Sequence, residues 1–244
     1  MRYALTLAYD GTNYHGWQVQ ETANTVQAEL QKAISTIKRQ SIPIIGCGRT
    51  DTGVHAWDYT AHFDIQESIK DDFLYKLNAI LPKDIAIHSC LLVADNFHAR
   101  FDANLRSYQY KMHGLKDPFN DRYSLYFGRF AKIDWKKVQE GANLIKEYDS
   151  FFPFCKSNND LTSYTCQIKE SKWTIDCKNK TASYKISANR FLRGMVRLIV
   201  GMCLNLGLEK VTFQEVQSSL ENQTLLSKSW SVPALGLALI EVKY

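Results

Sequence analysis

No Cys-x-x-Cys pair occurs among the six cysteines of this 244-residue chain, so neither a zinc ribbon nor a dithiol redox motif is indicated. No apolar signal segment opens the sequence, and no hydrophobic run approaches the length of a membrane span. The cysteines, at 47, 90, 155, 166, 177 and 203, are therefore expected as reduced thiols in a cytoplasmic protein. A chain of this length buries a sizeable core without disulfide staples. No low-complexity linker divides it, although it is long enough for one large domain or two small ones. Strong charge of one sign is absent too. Lys and Arg number 30 against 25 Asp and Glu, and the net +5 is a modest lean toward anionic partners. With 23% charged and 45% hydrophobic residues, the composition is that of an ordinary soluble globular protein.

What is present centres on Gly46-Cys47-Gly48-Arg49-Thr50-Asp51-Thr52-Gly53-Val54-His55-Ala56. A β-branched run, Ile42-Pro43-Ile44-Ile45, leads in, and an alternating run from Trp57 to Ile65 leads out, so the stretch reads as a loop between strands. Its glycines permit unusual backbone conformations and close approach of a ligand. One carboxylate, Asp51, stands between Arg49 and His55. A single acid in a basic, glycine-rich loop fits a nucleophile or general acid/base acting on an anionic substrate. The competing interpretation is a tight turn in which Asp51 only bonds nearby amides.

Periodicity supplies the surrounding elements. Arg2 to Tyr9 alternates as a strand, with a turn at 10–13. Asn24 with Gln27 resembles a capping box before a helix whose Val26, Leu30, Ala33, Ile34 and Ile37 share a face. Strands are expected at about 42–48 and 57–65. On the second, Trp57, Tyr59, Ala61, Phe63 and Ile65 lie on one face, and Asp58, Thr60, His62 and Asp64 on the other. A helix with Phe73, Leu74, Leu77 and Ile80 stops at Pro82, and a strand follows at 85–94. The order is β-α-β-β-α-β, a ferredoxin-like unit. The second half repeats it: a strand at about 105–112 and a helix begun by Asp134, with Trp135, Val138, Ala142 and Ile145 inward. Strands at about 164–177 and 181–188, helices at about 190–206 and 212–221, and a strand at 235–242 complete it. The fold class is α+β, in halves 1–104 and 105–244, with the two sheets expected side by side around a central cleft.

The motifs resemble those of the TruA family of tRNA pseudouridine synthases. Gly-Arg-Thr-Asp-Thr-Gly-Val-His-Ala at 48–56 is similar to the family's active-site motif. Tyr9-Asp10-Gly11-Thr12-Asn13-Tyr14-His15-Gly16-Trp17-Gln18 resembles its opening, Thr25-Val26-Gln27 its first helix and Asn78-Ala79-Ile80-Leu81-Pro82 its second. Phe97 to Ala103, Arg106 to Tyr110, Phe191 to Arg197 and Gly236-Leu237 follow in the same order. The resemblance implies the pseudouridine synthase fold and conversion of uridine at positions 38–40 of the tRNA anticodon stem-loop. It further implies no cofactor, and a homodimer that grips tRNA across both subunits.

Isomerising uridine requires breaking the glycosidic bond, turning the uracil and rejoining it through C5. A carboxylate can attack covalently or stabilise charge at the sugar. The resemblance assigns this role to Asp51. It gives Arg49 the flipped-out nucleotide, Tyr108 a stacking contact with the uracil, and Leu237 a place among the substrate contacts. A planar ring suits an extruded base, because it replaces lost stacking; Tyr110, on the same strand face, is read as packing. An acid in a dry pocket stays ionised only beside a cation, and Arg197 is a candidate with Arg49. On a helix from Asn189, Arg190, Arg193 and Arg197 fall within about a sixth of a turn, a stripe suited to phosphate. Gly194 stands where the family commonly has histidine, and in a helix interior it costs roughly 1 kcal/mol against alanine.

Three other patterns carry less. His55, His62 and Cys47 have no established ligand spacing, so no metal site is expected. Asp51 and Asp58 imitate a glycosidase pair, but Asp58 falls on a polar, solvated face. Phe151-Phe152-Pro153-Phe154 reads as packing. Two other classes remain beside the synthase: an RNA-binding module without catalysis, and a glycoside-cleaving enzyme, which needs a second acid near Asp51.

Overall fold

The computed structural model describes residues 1–156 and 163–244. They form two compact units, one of Met1–Asn104 with Ala238–Tyr244 and one of Leu105–Leu237. In chain order the first contains β1 (Arg2–Tyr9), α1 (Val26–Lys38), β2 (Ile44–Gly46), β3 (His55–Asp64), α2 (Phe73–Ile80) and β4 (Ile85–Val93). The second contains β5 (Leu105–His113), β6 (Leu125–Tyr126), α3 (Trp135–Leu144), β7 (Ile168–Asp176), β8 (Thr181–Ala188), α4 (Met195–Gly207) and α5 (Phe213–Glu221). The last strand is β9 (Leu237–Lys243). The class is α+β, as the periodicity predicts.

In the first unit the strands run β4-β1-β3-β2, each antiparallel to its neighbour. β1 and β2 are therefore parallel with β3 between them, and α1 makes the crossover, which is a split βαβ. The outer edge of β3 is shared. Its C-terminal half, Ala61 to Phe63, pairs with β2, and its N-terminal half, His55 and Ala56, pairs in parallel with β9. β1 buries Tyr3, Leu5, Leu7 and Tyr9 at alternate positions against the helices. In the second unit β5-β8-β7 repeats the arrangement, with β5 and β7 parallel around β8 and α3 as the crossover.

Several local expectations are corrected. α1 is capped by Thr25, whose hydroxyl accepts from the Ala28 amide, and Asn24 and Gln27 form no capping box. Gln27 instead bridges outward: it accepts from the Val19 amide at 2.9 Å and donates to the Ile44 carbonyl at 2.7 Å. A complete capping box stands on α5, where Thr212 and Glu215 satisfy each other's amides. β3 begins at His55 and does not divide into an apolar and a solvated face. Trp57 is 49% exposed, whereas His62 on the supposed polar face is 1% exposed, covered by Ala99, whose amide donates to its Nδ1 at 3.1 Å. Asp58 is not simply solvated, since it accepts from the Val242 amide, and Asp64 is paired with Arg2 at 2.7 Å. α4 starts at Met195, not near residue 190. All six cysteines are free thiols.

Candidate active site

Three hydrogen bonds hold the Asp51 loop onto the end of β1 and the segment that follows it. Thr50 is buried, with its hydroxyl 2.8 Å from that of Tyr9 and its carbonyl accepting from the Trp17 amide at 3.3 Å. The Gly53 amide donates to the Tyr14 carbonyl at 3.2 Å. Asp51 itself opens a turn closed by the Val54 amide donating to the Asp51 carbonyl at 3.1 Å. Gly53, the third residue of that turn, has φ +76°, a conformation that strains residues bearing a Cβ. Behind the loop, Trp17 stacks on Tyr59 at 4.1 Å between ring centres and Tyr9 packs against both. The Tyr59 hydroxyl donates to the Gly48 carbonyl. Asp51 is half-buried and Arg49 exposed, so the acid stands at the surface of a rigid support with a guanidinium two residues away.

His55 is buried where the loop joins β3. Its Nδ1 lies 3.0 Å from the Gly11 amide nitrogen and 3.1 Å from Asp10 Oδ1. The neutral ring accepts from Gly11 and the protonated ring donates to Asp10, so either form is tied to the same segment. His62 is likewise turned to the backbone. Burial pushes its pKa down to about 4, assisted by the nearby Arg2 charge. Among the described residues no three His, Cys, Asp or Glu side chains gather as metal ligands.

In the second unit Tyr108 lies on β5, half-buried, with its ring edge-on to Phe191 at 5.2 Å and 87°. Arg106, two residues back, donates to the Asn189 carbonyl at 2.7 Å and so ties β5 to the segment carrying Phe191. Tyr110 is fully buried, as packing requires, and its hydroxyl also donates to the Pro233 carbonyl at 2.9 Å. Arg197 Nε donates to the preceding carbonyl, that of Val232, at 2.7 Å. β5 and α4 thus grip adjacent carbonyls of the segment leading to Leu237, which is buried at the start of β9.

The arginine stripe is not a feature of one helix. Arg190 and Arg193 lie in the turn before α4, both exposed, and only Arg197 is on the helix. Gly194 is the N-cap residue with φ +70°, so it spares strain at a left-handed position and does not weaken a helix interior. A Cβ there would come within 2.7 Å of the Lys156 side chain. The Tyr9–Trp17–Tyr59 support is not legible in the sequence as a unit, although two of its three rings stand in the opening motif.

The family model for tRNA pseudouridine synthase matches residues 6–102 and 147–244. This chain belongs to the tRNA pseudouridine synthase family. It is 40% identical over 246 residues to tRNA pseudouridine synthase A of Bacteroides thetaiotaomicron, covering 100% of this chain and 90% of that protein. The same-named protein of Bacteroides fragilis is 39% identical, with 100% and 96% covered. That of Bacillus subtilis is 34% identical, with 100% and 99% covered. Arg49 and Asp51 fall in the first stretch matched by the synthase model, and Arg190, Arg193, Arg197 and Leu237 in the second. Tyr108 lies between the two. No helix of the described residues is long and apolar enough to cross a membrane.

Proposed function

We propose that this chain converts uridine to pseudouridine at positions 38–40 of the tRNA anticodon stem-loop, with Asp51 as nucleophile and without a cofactor. The observation that carries this reading is the setting of Asp51: a half-buried acid on a turn pinned at Thr50 and Gly53, inside the first family-matched stretch. The reaction is an isomerisation. The C1′–N1 bond breaks, uracil turns, C1′–C5 forms, the C5 proton leaves and N1 is protonated. A carboxylate attacks covalently or stabilises charge at the sugar, and a rigid loop keeps it aligned while the base turns.

In this mechanism Arg49 holds the flipped-out nucleotide and Tyr108 stacks on the uracil with its hydroxyl near the C5 proton. Leu237 belongs to the substrate contacts. Arg197 is the charge partner of Asp51, while Arg190 and Arg193 meet phosphate. The working form is a cytoplasmic homodimer, with tRNA gripped across both subunits. The test is pseudouridine mapping in tRNA from cells lacking this protein, restored with wild type or Asp51→Asn. Restoration by the variant would remove Asp51 from the chemistry. Release of free uracil by the purified protein would instead mark a glycoside-cleaving enzyme.

A further inference from the structure

The second unit carries a recess of about 720 Å³, lined by none of the candidate site residues. Its wall combines Phe127 and Arg129 from the segment after β6, Asn205 from α4, Lys210 from the turn after it, and Lys228 and Trp230. The volume is within the range of small-molecule sites. Three cations converge there. Among the described residues none of them forms an ion pair, because the neighbouring acids are engaged elsewhere. Glu209, beside Lys210, is bonded to Lys137 at 2.5 Å, and Glu215 is held in the α5 capping box, where it feels Lys228 only through space. The recess therefore has an uncompensated positive field. Its aromatic part is specific too: the Phe127 and Trp230 rings pack at 6.1 Å and 33°, and both are half-exposed. Asn205 is 3% exposed and fixed by donation of its Nδ2 to the Lys228 carbonyl at 2.9 Å, which places an amide on the inner wall.

We infer that this recess binds a nucleoside phosphate, with the base on the Phe127–Trp230 surface and the phosphate among Arg129, Lys210 and Lys228. Every base has a face for an aromatic ring, and arginine and lysine together meet a phosphate without a carboxylate to compete. An acidic peptide would use the cations and leave the indole and the buried amide without a role. The nucleoside phosphate has two sources, a nucleotide of the tRNA outside the anticodon arm or a free mononucleotide. The first rests on the proposed action on tRNA; the second does not.

The experiment uses the full chain and two variants, the double charge reversal Lys210→Glu/Lys228→Glu at exposed positions and Trp230→Leu. Affinity is measured for whole tRNA, for an isolated anticodon stem-loop and for UMP and AMP, each against salt. If the ligand is part of tRNA, both variants bind whole tRNA at least tenfold more weakly. The charge variant also flattens the slope of log affinity on log salt by about 0.7–0.9 for each phosphate no longer neutralised. Stem-loop affinity and turnover at saturating tRNA stay unchanged. If the ligand is a free nucleotide, UMP or AMP binding disappears in both variants while tRNA affinity holds. Unchanged affinity for all ligands in both variants overturns the inference, as does weakened binding in the charge variant alone, which would mark a bare anion site. A wild-type protein that forms no pseudouridine would overturn the proposed action on tRNA and leave the mononucleotide arm to decide the recess.

Discussion

The hydroxyls of Tyr9 and Thr50 meet at 2.8 Å in a buried hydrogen bond that fastens the residue before Asp51 to the end of β1. It joins the loop of the acid to a strand that is itself held on both edges, by β3 and β4. Tyr9→Phe leaves the Thr50 hydroxyl buried without this partner, which costs about 1–2 kcal/mol. The urea midpoint is expected to fall accordingly, and turnover to drop several-fold with little change in tRNA affinity, because alignment of Asp51 is loosened. The same change combined with Thr50→Val should recover part of the stability loss. Purely additive losses would show that the bond contributes nothing.

Asp51→Asn is expected to abolish pseudouridine formation and leave tRNA affinity nearly intact. The substitution is close to isosteric and removes the proposed nucleophile together with one negative charge, so binding of the tRNA polyanion tightens slightly if it changes at all. Measurable turnover by the purified variant sinks the assignment.

Much of the fold is legible in the sequence because burial follows local period: β1 alternates and α1 and α3 carry their apolar faces where spacing puts them, whereas on α2 only Phe73 and Leu77 of the expected face are buried and Ile80 is exposed. The failures have physical reasons. Arginines at 190, 193 and 197 match a helical stripe, yet Gly194 takes φ +70° and starts the helix after two of them. Periodicity registers which residues are polar but not which conformation a glycine adopts. His62 and Thr60 alternate with apolar residues and so read as solvated, whereas the chain at Ala99 returns to cover His62. Gln27 looks like half of a capping box and instead serves strand β2 and Val19. Such pairings join residues distant in sequence and leave no local trace. The Asp51 loop is legible as a motif, but its fastening to Tyr9, Tyr14 and Trp17 is not.

His62 makes stability depend on pH. Its folded pKa of about 4 lies below the ordinary value near 6.5, so protons bind the unfolded chain more readily. Its contribution is fully present above about pH 6.5 and is lost as pH falls toward 4, on the order of 3 kcal/mol at most. His62→Asn keeps an acceptor for the Ala99 amide and cannot titrate. Urea midpoints measured from pH 7 to pH 4 should fall less steeply for this variant than for wild type; parallel curves would show that His62 is not the group responsible.

Activity is expected to survive exhaustive EDTA treatment without added cofactor. His55 and His62 both turn Nδ1 to a backbone amide, and the isomerisation needs no redox step or external group. Loss of activity restored by zinc would show these histidines to be ligands. Restoration by magnesium alone would point to the folding of tRNA, which a melting curve of the tRNA under the same conditions separates from catalysis.

Arg193 and Arg197 are expected to fail differently, and their placement sharpens the contrast. Arg193 is exposed in the turn before α4, while Arg197 is half-buried on the helix with Nε committed to the Val232 carbonyl. A guanidinium whose Nε is anchored to the backbone is held in a fixed orientation, which suits an ion pair better than a mobile phosphate clamp. Arg193→Ala should weaken binding to all tRNAs alike and flatten the salt slope by about 0.7–0.9, with turnover unchanged. Arg197→Ala should lower turnover far more than affinity. The proposed charge partner of Asp51 is then missing, so the loss should fall on the chemical step more than on binding. Arg197→Lys, which keeps the charge without the fork, should fall between wild type and alanine. The measurements are turnover at saturating tRNA and affinity against salt for each variant. An Arg197→Ala protein with a salt effect and no rate effect would make both arginines phosphate clamps and remove the proposed ion pair with Asp51.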